Sequence, residues 1–200
     1  GRPHLAEDRA RLKAVRDAVG PNYEIMVDAN QSFNLAEAKR RAHMLEEFDI
    51  AWFEEPLPAD DVAQHALLAA GTSIPVAVGE SMYSVSQFKD YLACGGTSVV
   101  QVDVARIGGI TPWIKVAHMA EAHNISVCPH FLMELHVSLV CATPIAPWLE
   151  YIPPLESVTN SGMKIEQGRA FASQQPGIGI DWDMAALSSA CVKDLSARAQ

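Results

Sequence analysis

Acidic residues recur at a regular interval in the first part of the chain, each soon after a short apolar run. Asp28, Glu54 and Glu80 lie 26 residues apart each time. That interval is about the length of one β-strand and one helix with their connections. If each run is a parallel strand, the three carboxylates project from the same end of one sheet. The series continues at similar spacing with three further ionisable residues: Asp103, His130 and Glu150.

The hydrophobic pattern predicts strands that alternate with helices. Strands are predicted at 23–27, 51–53, 74–78, 98–102, 125–128 and 148–149. Helices are predicted at 5–19, 34–48, 60–70, 85–93, from 111 onward, at 133–141 and at 184–198. Asn34 with Glu37 resembles a capping box, and Thr111 followed by Pro112 is typical of a helix start.

Six alternating strands indicate a parallel sheet wrapped by helices. A closed eight-strand barrel usually takes about 250 residues, and an open arc of six leaves two unpaired edges. We therefore expect two strands upstream of Gly1. Residues 1–150 are predicted to form a partial barrel, and residues 151–200 an irregular segment that packs on it.

Composition excludes several classes of protein. The formal charge is −9 and the calculated pI is about 5.2, and the basic residues lie among acidic neighbours, so nucleic-acid binding is not expected. The sequence contains neither a long apolar run nor an N-terminal basic and apolar leader, so no membrane association is expected. The four cysteines lack CxxC spacing, which favours reduced thiols in a cytoplasmic protein.

The spaced residues suggest a metal site beside a proton-transfer pair. Three converging carboxylates repel one another unless a hard cation such as Mg²⁺ lies between them. All-oxygen ligands favour Mg²⁺, with Mn²⁺ as an alternative. Asp103 and His130 are predicted at neighbouring strand ends, where the aspartate would orient the imidazole as a general base.

Five ordered motifs resemble the mandelate racemase subgroup of the enolase superfamily. They are VDANQ at 27–31, WFEEPL at 52–57, GE at 79–80, Asp103 with IGGI at 107–110, and PHF at 129–131. The resemblance implies a modified TIM barrel, (β/α)7β, with an N-terminal α+β capping domain. The first two strands and the capping domain are not found in these 200 residues, and residues 151–200 are expected to pack on the barrel or on that domain.

The resemblance also implies roles for individual residues. Asp28, Glu54 and Glu80 match the Mg²⁺ ligands, and Asp103 with His130 matches the catalytic dyad. Glu150 matches the acid that supports the substrate carboxylate and the enolate formed from it. Four further residues are expected to bind substrate or to orient these groups: Asn30, Glu55, Arg106 and His136.

The implied chemistry is removal of a proton α to a carboxylate, through an enediolate. Residues 129–136 look most like talarate or galactarate dehydratases, which favours dehydration of an acid sugar to a 2-keto-3-deoxy acid. A racemase or epimerase of a 2-hydroxy acid is the alternative. The family's Lys-x-Lys motif has no match here, so we expect residues 1–200 alone to form an incomplete site; a non-catalytic barrel fragment is the third reading. A small carboxylate substrate and a homo-oligomer are also implied.

Overall fold

The computed structural model describes residues 1–191 of the 200, and over this range the chain forms seven α-helices and seven strands. The helices are α1 (Leu5–Val19), α2 (Leu35–Leu45), α3 (Val62–Ala69), α4 (Val85–Cys94), α5 (Ile110–Ala122), α6 (Met133–Cys141) and α7 (Met184–Ala190). The strands are β1 (Ile25–Asp28), β2 (Ile50–Glu54), β3 (Val76–Val78), β4 (Val99–Val100), β5 (Ser126–Val127), β6 (Lys164–Glu166) and β7 (Arg169–Phe171). Short 3-10 turns occupy Glu46–Phe48 and Glu156–Val158.

The first five strands form one parallel sheet in the order β1-β2-β3-β4-β5. Each strand pairs with the next along the chain, and a helix lies between consecutive strands. Sequential parallel pairing with intervening helices is the pattern of a TIM barrel. The predicted α/β fold is therefore confirmed as a partial TIM barrel. No helix in the described part of the chain is both long enough and apolar enough to cross a bilayer.

The two faces of this sheet carry different side chains because successive residues of a strand point to opposite faces. Phe53, Val76 and Val78 belong to the large cluster that also contains the buried residues of the surrounding helices. A smaller cluster, formed by Trp52, Ala77, Val99 and Cys128, lies on the opposite face, away from the helices. We call this the inner face of the sheet. Since Glu54 follows Trp52 by two residues, its carboxylate also belongs to the inner face.

The predicted sixth strand at 148–149 is wrong, because these residues have no strand pairing in the described structure. The segment runs beside β5, where the Val127 N–H donates to the Ile145 carbonyl at 3.1 Å. Pro144 and Pro147 flank that contact and have no N–H to offer. A continuous ladder is therefore interrupted on both sides.

The segment after residue 150 is more ordered than predicted. β6 and β7 form an antiparallel hairpin, joined by Gln167 and Gly168 with φ of 51° and 73°. Two positive φ values are what a tight type I′ turn requires, and glycine supplies one without steric cost. The Asp183 side chain then caps α7. The predicted last helix extended to residue 198, and positions 192–200 lie outside the described residues.

The two predicted helix starts differ in outcome. Asn34 caps α2 by accepting from the Glu37 N–H at 3.0 Å, as predicted. The Glu37 carboxylate instead binds Arg41, at 2.6 Å, and the same guanidinium binds Asp8 of α1 at 2.6 Å. The Arg41 side chain is only 3% exposed, so a buried ion-pair network ties α2 to α1.

The predicted start of α5 at Thr111 is wrong. Gly109 is the N-cap, and the helix begins at Ile110. Gly109 has a φ of 114°, a conformation that L side chains rarely adopt. The turn therefore ends at the glycine, and Pro112 is the third helical residue. The first four N–H groups of a helix have no partner within it, so the missing N–H of Pro112 costs no hydrogen bond.

Candidate active site

The three regularly spaced acids converge at one end of the sheet. Asp28 and Glu54 are the last residues of β1 and β2, and they lie opposite each other in the strand register. Glu80 follows the end of β3 by two residues. One carboxylate oxygen from each residue lies within 4.8 Å of those of the other two. The 26-residue spacing in sequence thus becomes a compact cluster of oxygen atoms.

Burial and like charge make this cluster electrostatically unfavourable on its own. Burial raises the pKa of Glu54 to about 7, and the neighbouring charges of Asp28 and Glu80 add to the rise. Hydrogen bonds from Gln101 and from the Trp52 indole, whose Nε1 lies 3.2 Å from the Glu54 Oε2, offset part of it. A hard divalent cation would convert this repulsion into coordination. The donor set therefore fits Mg²⁺ or Mn²⁺.

Glycine is required where Glu80 leaves its strand. Gly79 has a φ of 148°, and a Cβ atom placed there would lie 2.8 Å from the backbone N and C atoms of Gln101. The backbones after β3 and before Asp103 thus approach more closely than any side chain permits. This close approach sets the position from which Glu80 reaches the cluster.

Two of the predicted supporting residues lie against the acids. The Asn30 N–H donates to the Asp28 Oδ1 at 2.7 Å, and its side-chain amide contacts Oδ2. Glu55 is 1% exposed, and its Oε2 accepts from the Gln31 Nε2 at 2.9 Å and from the Ser81 hydroxyl at 3.3 Å. Glu55 thereby joins the loops that follow β1, β2 and β3.

Asp103 and His130 form a hydrogen-bonded pair beside the acidic cluster. The His130 Nδ1 lies 2.9 Å from the Asp103 Oδ2. The N–H groups of Ala105 and Arg106 donate to the Asp103 Oδ1 at 2.7 and 3.1 Å. Burial by itself would raise the pKa of Asp103, but the bonds from His130 and from these N–H groups outweigh it and lower the pKa. The aspartate is therefore an ionised and well-anchored acceptor.

The second nitrogen of His130 faces the acidic cluster. Its Nε2 lies 3.6 Å from the Glu80 Oε2. Burial opposes protonation of the imidazole, yet the hydrogen bond to Asp103 and the charges of Glu80 and Glu150 outweigh it and raise the pKa of His130. The ring is thus held by one nitrogen and basic at the other, as a proton-transfer group requires.

Arg106 connects the dyad to the cluster. Its Nη1 donates to the Glu80 carbonyl at 2.8 Å and lies 3.3 Å from the Glu80 Oε1. Its Nε is 4.0 Å from the Asp103 Oδ2. The guanidinium thus places a positive charge between two acids that serve different parts of the site.

Glu150 and His136 both contact the residue after His130. The Glu150 Oε2 accepts from the Phe131 N–H at 2.5 Å, although Glu150 follows no strand. His136 is 0% exposed, and its Nδ1 lies 2.7 Å from the Phe131 carbonyl oxygen. All ten predicted site residues therefore lie at or beside one end of the sheet. His136 is completely buried there.

Sequence reasoning missed four polar residues that hold these groups: Gln31, Trp52, Ser81 and Gln101. The strand pattern could have indicated two of them. Trp52 precedes Glu54 by two residues within β2, and Gln101 precedes Asp103 by two at the end of the predicted strand 98–102, so an alternating pattern places each on the side of a site residue. The contacts of Gln31 and Ser81 with Glu55 depend on loop conformation, and no spacing rule predicts them.

Comparison with known proteins identifies the family. The model of the enolase C-terminal domain-like family matches residues 1–186. L-talarate/galactarate dehydratase of Salmonella typhimurium is 39% identical over 180 residues, which are 90% of this chain and 45% of the relative. The 3,6-anhydro-alpha-L-galactonate cycloisomerase of Streptomyces coelicolor is 32% identical over 193 residues, 96% of this chain and 54% of the relative. The chain thus spans about half the length of these relatives.

A solved structure agrees with this result. L-talarate dehydratase from Polaromonas sp. JS666, complexed with Mg and L-glucarate, superposes with a TM-score of 0.90 and 38% identity. The match covers 94% of this chain and 52% of that one. The resemblance seen in the five sequence motifs is confirmed by the sequence relatives and by the fold. The chain therefore belongs to the enolase superfamily, in its enolase C-terminal domain-like family.

Proposed function

We propose that the protein removes the proton α to the carboxylate of an acid sugar, in a Mg²⁺-dependent reaction that ends in dehydration to a 2-keto-3-deoxy acid. The observation that carries the proposal is the position of His130. One ring nitrogen is bound to Asp103 at 2.9 Å, and the other faces the Glu80 carboxylate of the acidic cluster at 3.6 Å. A held base beside a cation-binding cluster is the arrangement that this chemistry needs.

Asp28, Glu54 and Glu80 would hold the cation. Their three oxygen atoms and mutual repulsion fit a hard ion, and the Polaromonas relative was crystallised with Mg and L-glucarate. When bound, the cation supplies positive charge that stabilises a substrate carboxylate as it gains negative charge. Asn30 and the Trp52 indole would keep two of the acids oriented, because each donates to one of their oxygens.

His130 would act as the general base through Nε2. The Asp103 carboxylate accepts from Nδ1–H, which leaves Nε2 with its lone pair available for the α proton. Once protonated, the same ring would serve as the acid that releases the β-hydroxyl group as water. Asp103 stabilises the imidazolium form in the interval, since its charge lies against the ring.

Glu150 would contact the substrate from beside His130, because it binds the residue that follows His130. The Phe131 N–H donates to the Glu150 Oε2 at 2.5 Å. This hydrogen bond orients the carboxyl group, although Glu150 belongs to no strand. In its protonated form, a carboxyl group in this position would donate a hydrogen bond to the substrate carboxylate and to its enediolate form. Arg106, bound to Glu80, would limit the negative charge that the site presents to an anionic substrate.

The test is product analysis with the full-length protein and a panel of acid sugars that includes galactarate, talarate and glucarate. The proposal expects a 2-keto-3-deoxy product that requires Mg²⁺ and disappears with EDTA. Glu54→Gln should lose both the product and the rise in melting temperature that Mg²⁺ causes. His130→Asn should lose the product but keep the Mg²⁺-dependent rise. Glu121→Gln, on the exposed face of α5, is the matched control and should retain both.

A second candidate, a racemase or epimerase of a 2-hydroxy acid, is favoured by the similarity to a solved racemase from Streptomyces coelicolor, which is 32% identical to this chain. It would share the removal of the α proton but would not lose water. Incubation in D₂O separates the two reactions. Deuterated substrate, without any keto-deoxy product, would replace the dehydratase proposal with this one.

A further inference from the structure

The backbone after His130 adopts an unusual conformation for its residues. Phe131 and Leu132 have φ values of 58° and 34°, in the left-handed region that non-glycine residues rarely occupy. Such residues persist only where their surroundings hold them. Because His130 adjoins Phe131, whatever holds this strained pair also sets the position of the imidazole.

Two side chains hold the Phe131 backbone from opposite directions. Glu150 accepts from its N–H, and His136 of α6 binds its carbonyl oxygen through Nδ1 at 2.7 Å. The other nitrogen of His136, Nε2, accepts from the Val104 N–H at 3.0 Å. Val104 is the residue after Asp103. One imidazole therefore touches the neighbours of both members of the dyad, and we call these two hydrogen bonds the His136 clasp.

The partners of the clasp determine its tautomer. A backbone N–H can only donate, so the Nε2 that faces Val104 must be an acceptor. The proton of a neutral ring then lies on Nδ1, where it donates to the Phe131 carbonyl. Burial lowers the pKa of His136, which agrees with a neutral ring. The Trp113 ring packs against it, with ring centroids 6.1 Å apart.

We propose that His136 is a positioning residue: its clasp ties the loop after β4 to the loop after β5 and so sets the contact between Asp103 and His130. This inference rests on the proposed function for its kinetic consequence, but its structural statement can be tested separately. His136 is fully buried, so it acts through the dyad and does not contact substrate. Loss of the clasp should release the strained Phe131 backbone and let the imidazole move.

The kinetic test compares three substitutions of His136 in the full-length protein. His136→Ala removes both hydrogen bonds, and we expect kcat to fall about 100-fold, the effect of misplacing a reacting group by about 1 Å. The affinity for Mg²⁺ should be unchanged, because the clasp touches none of the three acids. His136→Asn retains a donor near the Nδ1 position, and His136→Gln retains an acceptor near the Nε2 position. Each should restore part of kcat.

His65 offers a matched control. It is also 0% exposed, and its Nδ1 also lies against a backbone carbonyl, that of Asp61 at 3.0 Å. His65→Ala removes a buried imidazole of the same size from α3, where its partners are Asp61 and Tyr91 and not the neighbours of the dyad. We expect it to lower the melting temperature without changing kcat. An equal fall of kcat in His65→Ala and His136→Ala would overturn the proposal, because general loosening of the core would then explain both.

A spectroscopic signal tests the clasp even if no acid sugar is turned over. The Nδ1 proton shared by His130 and Asp103 should give a downfield ¹H NMR resonance, assigned by its loss in His130→Asn. The proposal expects this resonance to persist in His65→Ala and to disappear or shift in His136→Ala. Its retention unchanged in His136→Ala would refute the positioning role. Absence of turnover in the wild-type protein would refute the proposed function instead.

Discussion

Gly79→Ala is expected to be among the most damaging single-methyl changes in the described structure. The substitution forces alanine into a φ of 148° and places its Cβ 2.8 Å from backbone atoms of Gln101. The unfavourable backbone conformation costs about 1–3 kcal/mol. To relieve the clash, two backbone segments of one sheet must move apart, which costs about 1–3 kcal/mol in addition. The free energy of unfolding should therefore fall by about 2–6 kcal/mol.

Gly95→Ala isolates the first of these two costs. Gly95 ends α4 with a φ of 70°, and a Cβ atom there would meet nothing within 4 Å. Its replacement should cost only the left-handed conformation, about 1–2 kcal/mol. Urea unfolding of both variants and the wild-type protein, in EDTA so that cation binding adds no stability, gives the two values directly. The difference between the variants measures the close approach at Gly79.

The same substitution should also affect the acidic cluster. Glu80 follows Gly79, so movement of this backbone carries its carboxylate away from the other two acids. Calorimetric titration with Mg²⁺ should show weaker binding in Gly79→Ala and unchanged binding in Gly95→Ala. If the two variants lost equal stability and bound Mg²⁺ equally well, the close approach would have no energetic role and the reasoning would be refuted.

Three further predictions concern other parts of the structure. Arg41→Met should lower the free energy of unfolding by about 3 kcal/mol in urea titrations, because it leaves two carboxylates without their buried partner. Trp52→Phe should weaken Mg²⁺ binding roughly tenfold by calorimetry, since it removes an indole donor from one of the three acids. Burial lowers the pKa of His65 below 6.5. As pH falls below 6.5, His65 of the unfolded chain therefore binds a proton before His65 of the folded chain does. The free energy of unfolding declines over this range, until the folded pKa is reached. Asp61 favours the charged ring through its carbonyl and its charge, and so limits that decline. His65→Gln should make melting temperature less dependent on pH in this range.

Sequence spacing predicted the acidic cluster for a physical reason. A parallel sheet built from repeated units places the end of every strand at the same edge, so a period in sequence becomes proximity in space. Asp28, Glu54 and Glu80 follow this rule directly. The pairing of Asp103 with His130 follows it too, because β4 and β5 are neighbours.

Two predictions from the local sequence pattern are wrong, because backbone geometry and not periodicity decides the structure there. Residues 148–149 are apolar and were expected to pair, but the prolines around them interrupt the ladder. Thr111 and Pro112 have the composition of a helix start, yet Gly109 ends the turn first because a glycine accepts its φ of 114°. In each case one backbone dihedral angle or one missing N–H donor outweighed the preference of the local residue types.

The sequence by itself determined the order of the first five strands and of the helices between them, the carboxylates that share one edge of the sheet, and the family to which the chain belongs. Only the tertiary structure decided which atoms meet. The contacts of Glu55, Glu150 and His136 arise from loops with left-handed residues, and each joins segments distant along the chain. Such contacts depend on the three-dimensional path of several loops at once, and no local pattern of residue types encodes that path.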